Sequence, residues 1–261
     1  MLKIYRIMNK TKAFRASILF LIALIPQIST AQDTSNLPPE ATEFYKPIPE
    51  VVMAGTDAGS PPADAVVLFD GSGQEEWQSA ADGSETNWIV SGDAMTVNPG
   101  SGDIKTRQKF GDVQLHIEWR SPEEVKGEGQ GRGNSGVFLM EQYEVQVLDS
   151  YQNDTYTNGQ AGSIYKQSPP LVNVTRPPGE WNVYDILFRA PRFNEEGMLI
   201  SPAKITVFHN GVVVQNNFEL KGPTVYTGIP NYEAHPEELS IVLQDHGNPV
   251  SFRNIWLREL K

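Results

Sequence analysis

The 261-residue chain contains no cysteine, so no disulfide stabilises it and no lipid-modified cysteine is available to anchor it. Its stability has to come from a packed core. It also lacks a long hydrophobic run: Ala16 to Ile25 is apolar for ten residues before Pro26, too short to span a bilayer. Basic residues are scarce, 21 Lys and Arg against 32 Asp and Glu, and five of the 21 fall before residue 32. From Gln32 onward sixteen basic residues face all 32 acidic ones. A nucleic acid partner is excluded on this balance, since phosphate binding needs a basic patch that releases counterions. A neutral polar ligand fits better. Finally, no helical period of ten or more residues occurs, which argues against a bundle or an α/β sheet.

What is present begins with a basic region (Lys3, Arg6, Lys10, Lys12, Arg15), the short apolar run and the small residues Ser29-Thr30-Ala31. This is the pattern of an export signal cleaved after Ala31, leaving a chain without stable membrane insertion, in the periplasm or outside the cell. Residues 32–64 carry six prolines and are expected to form an extended arm, pinned at most by Phe44, Tyr45, Val51, Val52 and Met53. One domain is expected over 65–261. Strands are predicted near 65–69, 88–91, 94–98, 112–120, 136–140, 141–148, 182–190, 204–209, 212–215, 239–244 and 251–257, and Asn210-Gly211 is the strongest hairpin signal between them. Many short strands with Gly- and Pro-rich turns predict an all-β, two-sheet sandwich.

Two strands carry the chemistry. In Tyr143-Glu144-Val145-Gln146-Val147-Leu148-Asp149, alternation sends Glu144 and Gln146 to one face and the apolar residues to the other. That face is either a lined groove or a solvated sheet surface. In 112–120, Val113, Leu115, Ile117 and Trp119 alternate with Gln114, His116, Glu118 and Arg120, and the polar set is either a binding face or cross-strand ion pairing. The glycine-rich stretch 123–133 is a mobile loop long enough to cover a groove, or a plain excursion. Asn134 after it is a turn former or a ligand contact.

The succession LFDG (68–71), EWR (118–120), GNSGVF (133–138), YEVQVLD (143–149), AGSIY (161–165), GEWNVYDI (179–186), HNG (209–211) and LQDHGNPVSFRNI (243–255) resembles the 3-keto-disaccharide hydrolase family over about residues 64–260. The resemblance implies a concanavalin A-like jelly roll, two curved antiparallel sheets with a sugar site on the concave face. It implies cleavage of 3-keto-glycosides (3-keto-disaccharides or 3-keto-glucosides), as a hydrolase or as a lyase that eliminates the aglycone and hydrates the 2-hydroxy-glucal left behind.

A C3 ketone acidifies the C2 hydrogen, so such a site needs one base near C2 and donors for an enolate oxygen rather than two carboxylates flanking the bond. Under the resemblance Glu144 is the expected general base and His246 the second catalytic group, a donor or proton shuttle. Asn134, Gln146, Gln244 and Asp149 are expected substrate contacts, and Tyr165 and Lys166 are placed to meet sugar hydroxyls or stack on a ring. Arg253 is expected to hold a substrate oxygen or buttress Glu144, with His116 and Glu118 as reserve acid and base. Trp181 is expected in the core. No organic cofactor is expected. A divalent cation stays open, because Glu144, Asp149, His246 and His116 are possible ligands although no spacing specifies a metal. The alternatives are a non-catalytic lectin-like module on the same fold and a two-acid glucanase. The latter is disfavoured because positions 146 and 148 are Gln and Leu.

Overall fold

The computed structural model describes residues 36–260, so the export signal and the start of the arm lie outside the described residues. The chain divides into a segment ending at Glu50 and a body beginning at Val51. In the first, a 3-10 turn at Pro39–Thr42 is the regular element among the described residues. The body is a sandwich of antiparallel sheets, with strands numbered here in chain order. The larger sheet runs β13 (Val212–Glu219), β12 (Lys204–His209), β9 (Asn182–Arg189), β6 (Val113–Arg120), β15 (Ser251–Glu259), β4 (Ala94–Thr96) and β3 (Ile89–Ser91), with β1 (Val66–Phe69) also paired to β15. The smaller runs β2 (Trp77–Ser79), β5 (Ile104–Thr106), β14 (Val242–Leu243), β7 (Ser135–Leu139) and β8 (Tyr143–Val147). A two-stranded ribbon, β10 (Arg192–Phe193) with β11 (Leu199–Ser201), completes the set.

Alternation decides which side chains meet between the sheets. Val113, Leu115, Ile117 and Trp119 of β6 pack with Tyr184, Ile186 and Phe188 of β9 against Val137, Tyr143, Val145 and Val147 of the smaller sheet, all fully buried. Each such side chain contributes about 1.5–3 kcal/mol by leaving water, which is how a cysteine-free chain holds together. One polar contact ties the sheets behind the site: Tyr184 donates its hydroxyl to the Gln146 carbonyl at 2.7 Å. The Asn210-Gly211 turn joins β12 to β13 with both residues at positive φ (51° and 78°), as a type I′ two-residue hairpin turn between right-twisted strands requires.

The structure differs from the sequence expectations at five strands and in the arm. β2, β5 and the β10–β11 ribbon are too short to show a period, and the strand expected over 239–244 contracts to Val242–Leu243. Val51 and Met53 of the arm are exposed. The body-side part of the arm is pinned instead by polar groups: the Gly59 carbonyl accepts from Asn254 Nδ2 (2.8 Å) and Trp256 Nε1 (2.9 Å). Arg258 pairs with Asp64 at 2.6 Å.

Candidate active site

β8 is an edge strand, and what covers its free edge makes the site. The segment 161–165 lies along it, with Gly162 N–H donating to the Gln146 carbonyl (3.0 Å), Gln146 N–H to Ser163 (3.0 Å) and Tyr165 N–H to Glu144 (3.3 Å). Tyr165 is thereby held beside Glu144. On the other edge β7 pairs in register, Phe138 opposite Glu144 and Gly136 opposite Gln146. Outward from the core, these residues and Asn134 form one wall of a cavity of about 260 Å³, closed by Thr224, Tyr226, Gln244 and His246.

Glu144 and Gln146 are buried, not solvated, so the groove reading of this face holds and the solvated-surface alternative falls. Burial, and secondarily the negative charge of Asp103, raises the Glu144 carboxyl to about 8, because the charged form loses hydration without gaining a cation. The Gln146 carboxamide has one end atom 2.9 Å from Glu144 Oε1 and 3.1 Å from the Ser135 carbonyl, and the other 3.0 Å from Gln130 Oε1. With Nε2 toward Glu144 it donates to a carboxylate; with Oε1 there it accepts from a carboxylic acid. The Ser135 carbonyl can only accept, so at this end Nε2 is the better-matched atom, and it donates to the Glu144 carboxylate.

His246 is exposed at the cavity rim. Its loop is fastened by Asp245, whose Oδ2 accepts from Gly100 and Gly102 N–H (2.8 and 3.0 Å) and whose Oδ1 accepts from Gly247 N–H (2.9 Å). Asp245 N–H in turn donates to Asp103 Oδ1 at 2.8 Å. Asn134 donates to the Gln130 carbonyl at 2.7 Å, and its own N–H is held by Asn248 Oδ1 at 2.8 Å. The 123–133 loop is not a free excursion: Gly129 N–H donates to Asn153 Oδ1 (2.8 Å) and Gln130 reaches into the site.

The remaining expected residues lie elsewhere. Lys166 sits just outside the cavity, donating to the Tyr226 carbonyl at 2.6 Å. Asp149 is fully buried in an ion pair with Arg132 at 2.6 Å, on the wall of a neighbouring cavity of about 330 Å³. Arg253 does not buttress Glu144. It stands on the outer face of the larger sheet and pairs with Glu118 (2.7 Å) and Asp93 (2.9 Å), because the inward places on β15 go to Phe252 and Ile255. His116 and Glu118 share that outer face, on the sheet opposite Glu144. Trp181 is not core either: the inward positions of β9 begin at Asn182, and the guanidiniums of Arg253 and Arg120 lie over the Trp181 ring, 4.2 and 4.6 Å from its centre. Among the described residues no three His, Asp or Glu side chains converge as metal ligands. Of the four candidates named from sequence, Glu144 and His246 line one cavity, while Asp149 and His116 lie in two other places.

The outer-face cluster is a stability device. His116 Nδ1 is 2.7 Å from Asp185 Oδ1, and the ring stacks on Trp256. Burial alone would lower the imidazole, but Asp185 and Glu118 together outweigh it and raise it to about 9. Stabilisation from the imidazolium is thus complete below its ordinary value near 6.5 and disappears as pH rises through about 9. Asp185 is partly solvated, so His116→Gln is expected to cost on the order of 2 kcal/mol at pH 6 and far less at pH 10. Urea unfolding at the two values checks it; an equal loss at both would refute the charge-based account.

Sequence reasoning missed Phe138, Thr224, Tyr226, Gln130 and Asp103. Phe138 was recoverable, since alternation from Gly136 places it on the Glu144 face. Thr224 and Tyr226 lie in an irregular stretch whose sequence carries no period.

Residues 64–258 match the family described as the 3-keto-alpha-glucoside-1,2-lyase-like domain. A 3-keto-disaccharide hydrolase of Bacteroides thetaiotaomicron is 25% identical over 276 aligned positions, covering 88% of this chain and 90% of that protein. A Parabacteroides distasonis protein of known structure, provisionally described as a glycosyl hydrolase, is 51% identical with a TM-score of 0.82, covering 87% of this chain and 98% of the other. A second structure from that organism, at 20% identity and TM-score 0.57 over 76% of this chain and 94% of its own, shares the fold. With the match extending over the whole sandwich, this chain belongs to the 3-keto-alpha-glucoside-1,2-lyase-like domain family.

Proposed function

We propose that this chain cleaves 3-keto-glycosides by elimination followed by hydration, with Glu144 as the base. The observation that carries this is a single buried carboxylate of raised proton affinity, faced by amides rather than by a second acid. The family and the hydrolase name of the Bacteroides relative support a glycosidase of this general type. Glu144 takes the C2 proton, and the electron pair moves into a C2–C3 enolate whose oxygen Asn134, Gln146 or Gln244 can hold. Collapse restores the ketone, forms C1=C2 and breaks the C1–O bond. The leaving oxygen receives a proton from His246 or water. Addition of water across C1=C2 then gives the free 3-keto-sugar, so the net change is hydrolysis. A carboxyl near 8 is a stronger base than an ordinary carboxylate and remains partly ionised at neutral pH.

The test is a 3-keto-glucoside deuterated at C2, run beside the protonated substrate and the unoxidised glucoside. A primary isotope effect, with release from the keto-sugar alone, is the expected result. Release without an isotope effect would replace elimination by direct hydrolysis, and sugar binding without release would mark a lectin-like module. The same raised proton affinity also favours a reversed assignment, with protonated Glu144 as the acid and His246 as the base. The two part on pH: kcat/KM climbs through about pH 8 if Glu144 is the base and falls there if it is the acid.

A further inference from the structure

One side of the Glu144 cavity is lined by the buried polar side chains of Asn134, Glu144 and Gln146, but at its exposed side the chemistry changes. Tyr226, largely exposed, lines both this cavity and an open depression beside it, formed with Tyr156, Asn158, Lys166, Thr227 and Gly228. Tyr165, on the cavity side, packs its ring 6.2 Å from that of Tyr156. Three phenol rings and a lysine thus gather where a ligand would leave the cavity. Some of their polar groups are committed to one another. The Tyr156 and Tyr165 hydroxyls share a 2.6 Å hydrogen bond. The Lys166 ammonium donates to the Tyr226 carbonyl and lies 4.0 Å from its ring centre. What the depression offers a ligand is ring face more than hydrogen bonding.

We infer that this depression is a leaving-group subsite which takes a flat aromatic aglycone in preference to a saturated one. The inference rests on the keto-glycoside reading for the sugar's position: the glycone lies against buried Asn134, Glu144 and Gln146, so the departing group points across exposed Tyr226 into the depression. A saccharide leaving group would need partners for several hydroxyls, and the depression offers Asn158, Thr227, the Tyr226 hydroxyl and the Lys166 N–H groups not used on the Tyr226 carbonyl. An aromatic ring needs none, and stacks on tyrosine in offset or edge-on geometry. Lys166 adds a cation against the electron-rich ring system.

The experiment compares benzyl and cyclohexylmethyl 3-keto-glucosides, whose leaving alcohols are both primary and alike in acidity, so that the ratio of their kcat/KM values reports ring recognition. The disaccharide analogue with a glucosyl leaving group serves as a third substrate. Roughly three- to tenfold preference for benzyl is expected in the wild type, falling to near one in Tyr156→Ala and kept in Tyr156→Phe, which retains the ring. A wild-type ratio of one, or a preference that survives Tyr156→Ala in a variant of unchanged Tm, would overturn the inference. So would a glucosyl group that outcompetes benzyl and is itself sensitive to Tyr156→Ala. Binding of free benzyl alcohol and cyclohexylmethanol, followed by NMR shifts in wild type and variants, separates this from the catalytic reading. Selective benzyl alcohol binding lost in Tyr156→Ala, with no turnover of any 3-keto-glucoside, would keep the subsite and reject the reaction.

Discussion

Glu144→Gln is expected to lower kcat/KM on a 3-keto-glucoside by about 10²–10⁴-fold, the contribution typical of a positioned base, while making the protein more stable above neutral pH. Both effects come from the same burial. The wild-type carboxyl binds its proton more tightly folded, at about 8, than at the ordinary 4.5. Between those values the folded state holds more protons than the unfolded one, so stability falls as pH rises through this window. The loss is about 1.4 kcal/mol for each tenfold change in proton affinity, or on the order of 4 kcal/mol once pH passes the folded value. Glutamine has the same shape and no charge to desolvate, and it leaves the amide neighbours a partner. Steady-state kinetics on the keto-sugar, paired with urea unfolding at pH 5 and pH 9, checks the combination. Retained activity would remove Glu144 from the chemistry, and a variant no more stable at pH 9 would remove burial as the source of its proton affinity.

Gly136→Ala should strike the same carboxyl from beneath. Gly136 lies opposite Gln146 on β7, and a Cβ built there meets Glu144 Oε1 and a Phe138 ring carbon at 2.8 Å each. Neither can yield without cost: Phe138 is packed on the cavity wall, and the carboxyl would move into the space meant for the substrate. Displacement of a reacting group by about 1 Å costs near 10²-fold, and the added methyl costs about 1–3 kcal/mol as overpacking. The expected variant is folded, modestly less stable and about 10²-fold slower on the keto-sugar. Near-wild-type kcat/KM with a normal Tm would show that the carboxyl position is not set from this floor. A glycine inside a strand reads in sequence as a site of close approach, but not what approaches.

The fold was legible because its signals are short-range. β6, β9, β12 and the Asn210-Gly211 hairpin repeat their patterns over enough residues to separate a two-residue period from noise, and the apolar half of each pattern can face only one core. β2, β5 and β14 have three residues or fewer, and no period can be read from so little; their pairing is supplied by neighbours distant in sequence. The Glu144 and Gln146 face was also readable from alternation, whereas its burial was not. That depends on residues 161–165 lying along an open strand edge and on Thr224 and Tyr226 returning some 80 positions later.

Arg253 shows the limit most clearly. Sequence and family pattern alike place a cation near the motifs that bear the site, yet nothing local states which of two sheets a strand joins. β15 pairs with β6 and β4, and that alone sends Arg253 to Glu118 rather than Glu144. By itself the sequence determined a cysteine-free all-β sandwich, the families of residues that share a strand face, and the candidate base. The tertiary structure alone decided which of those faces oppose each other, which polar residues are withdrawn into ion pairs, and how deeply Glu144 is buried. The reason is that alternation along a strand is a property of neighbours in the chain, whereas desolvation, charge pairing and cavity shape arise from segments that meet only on folding.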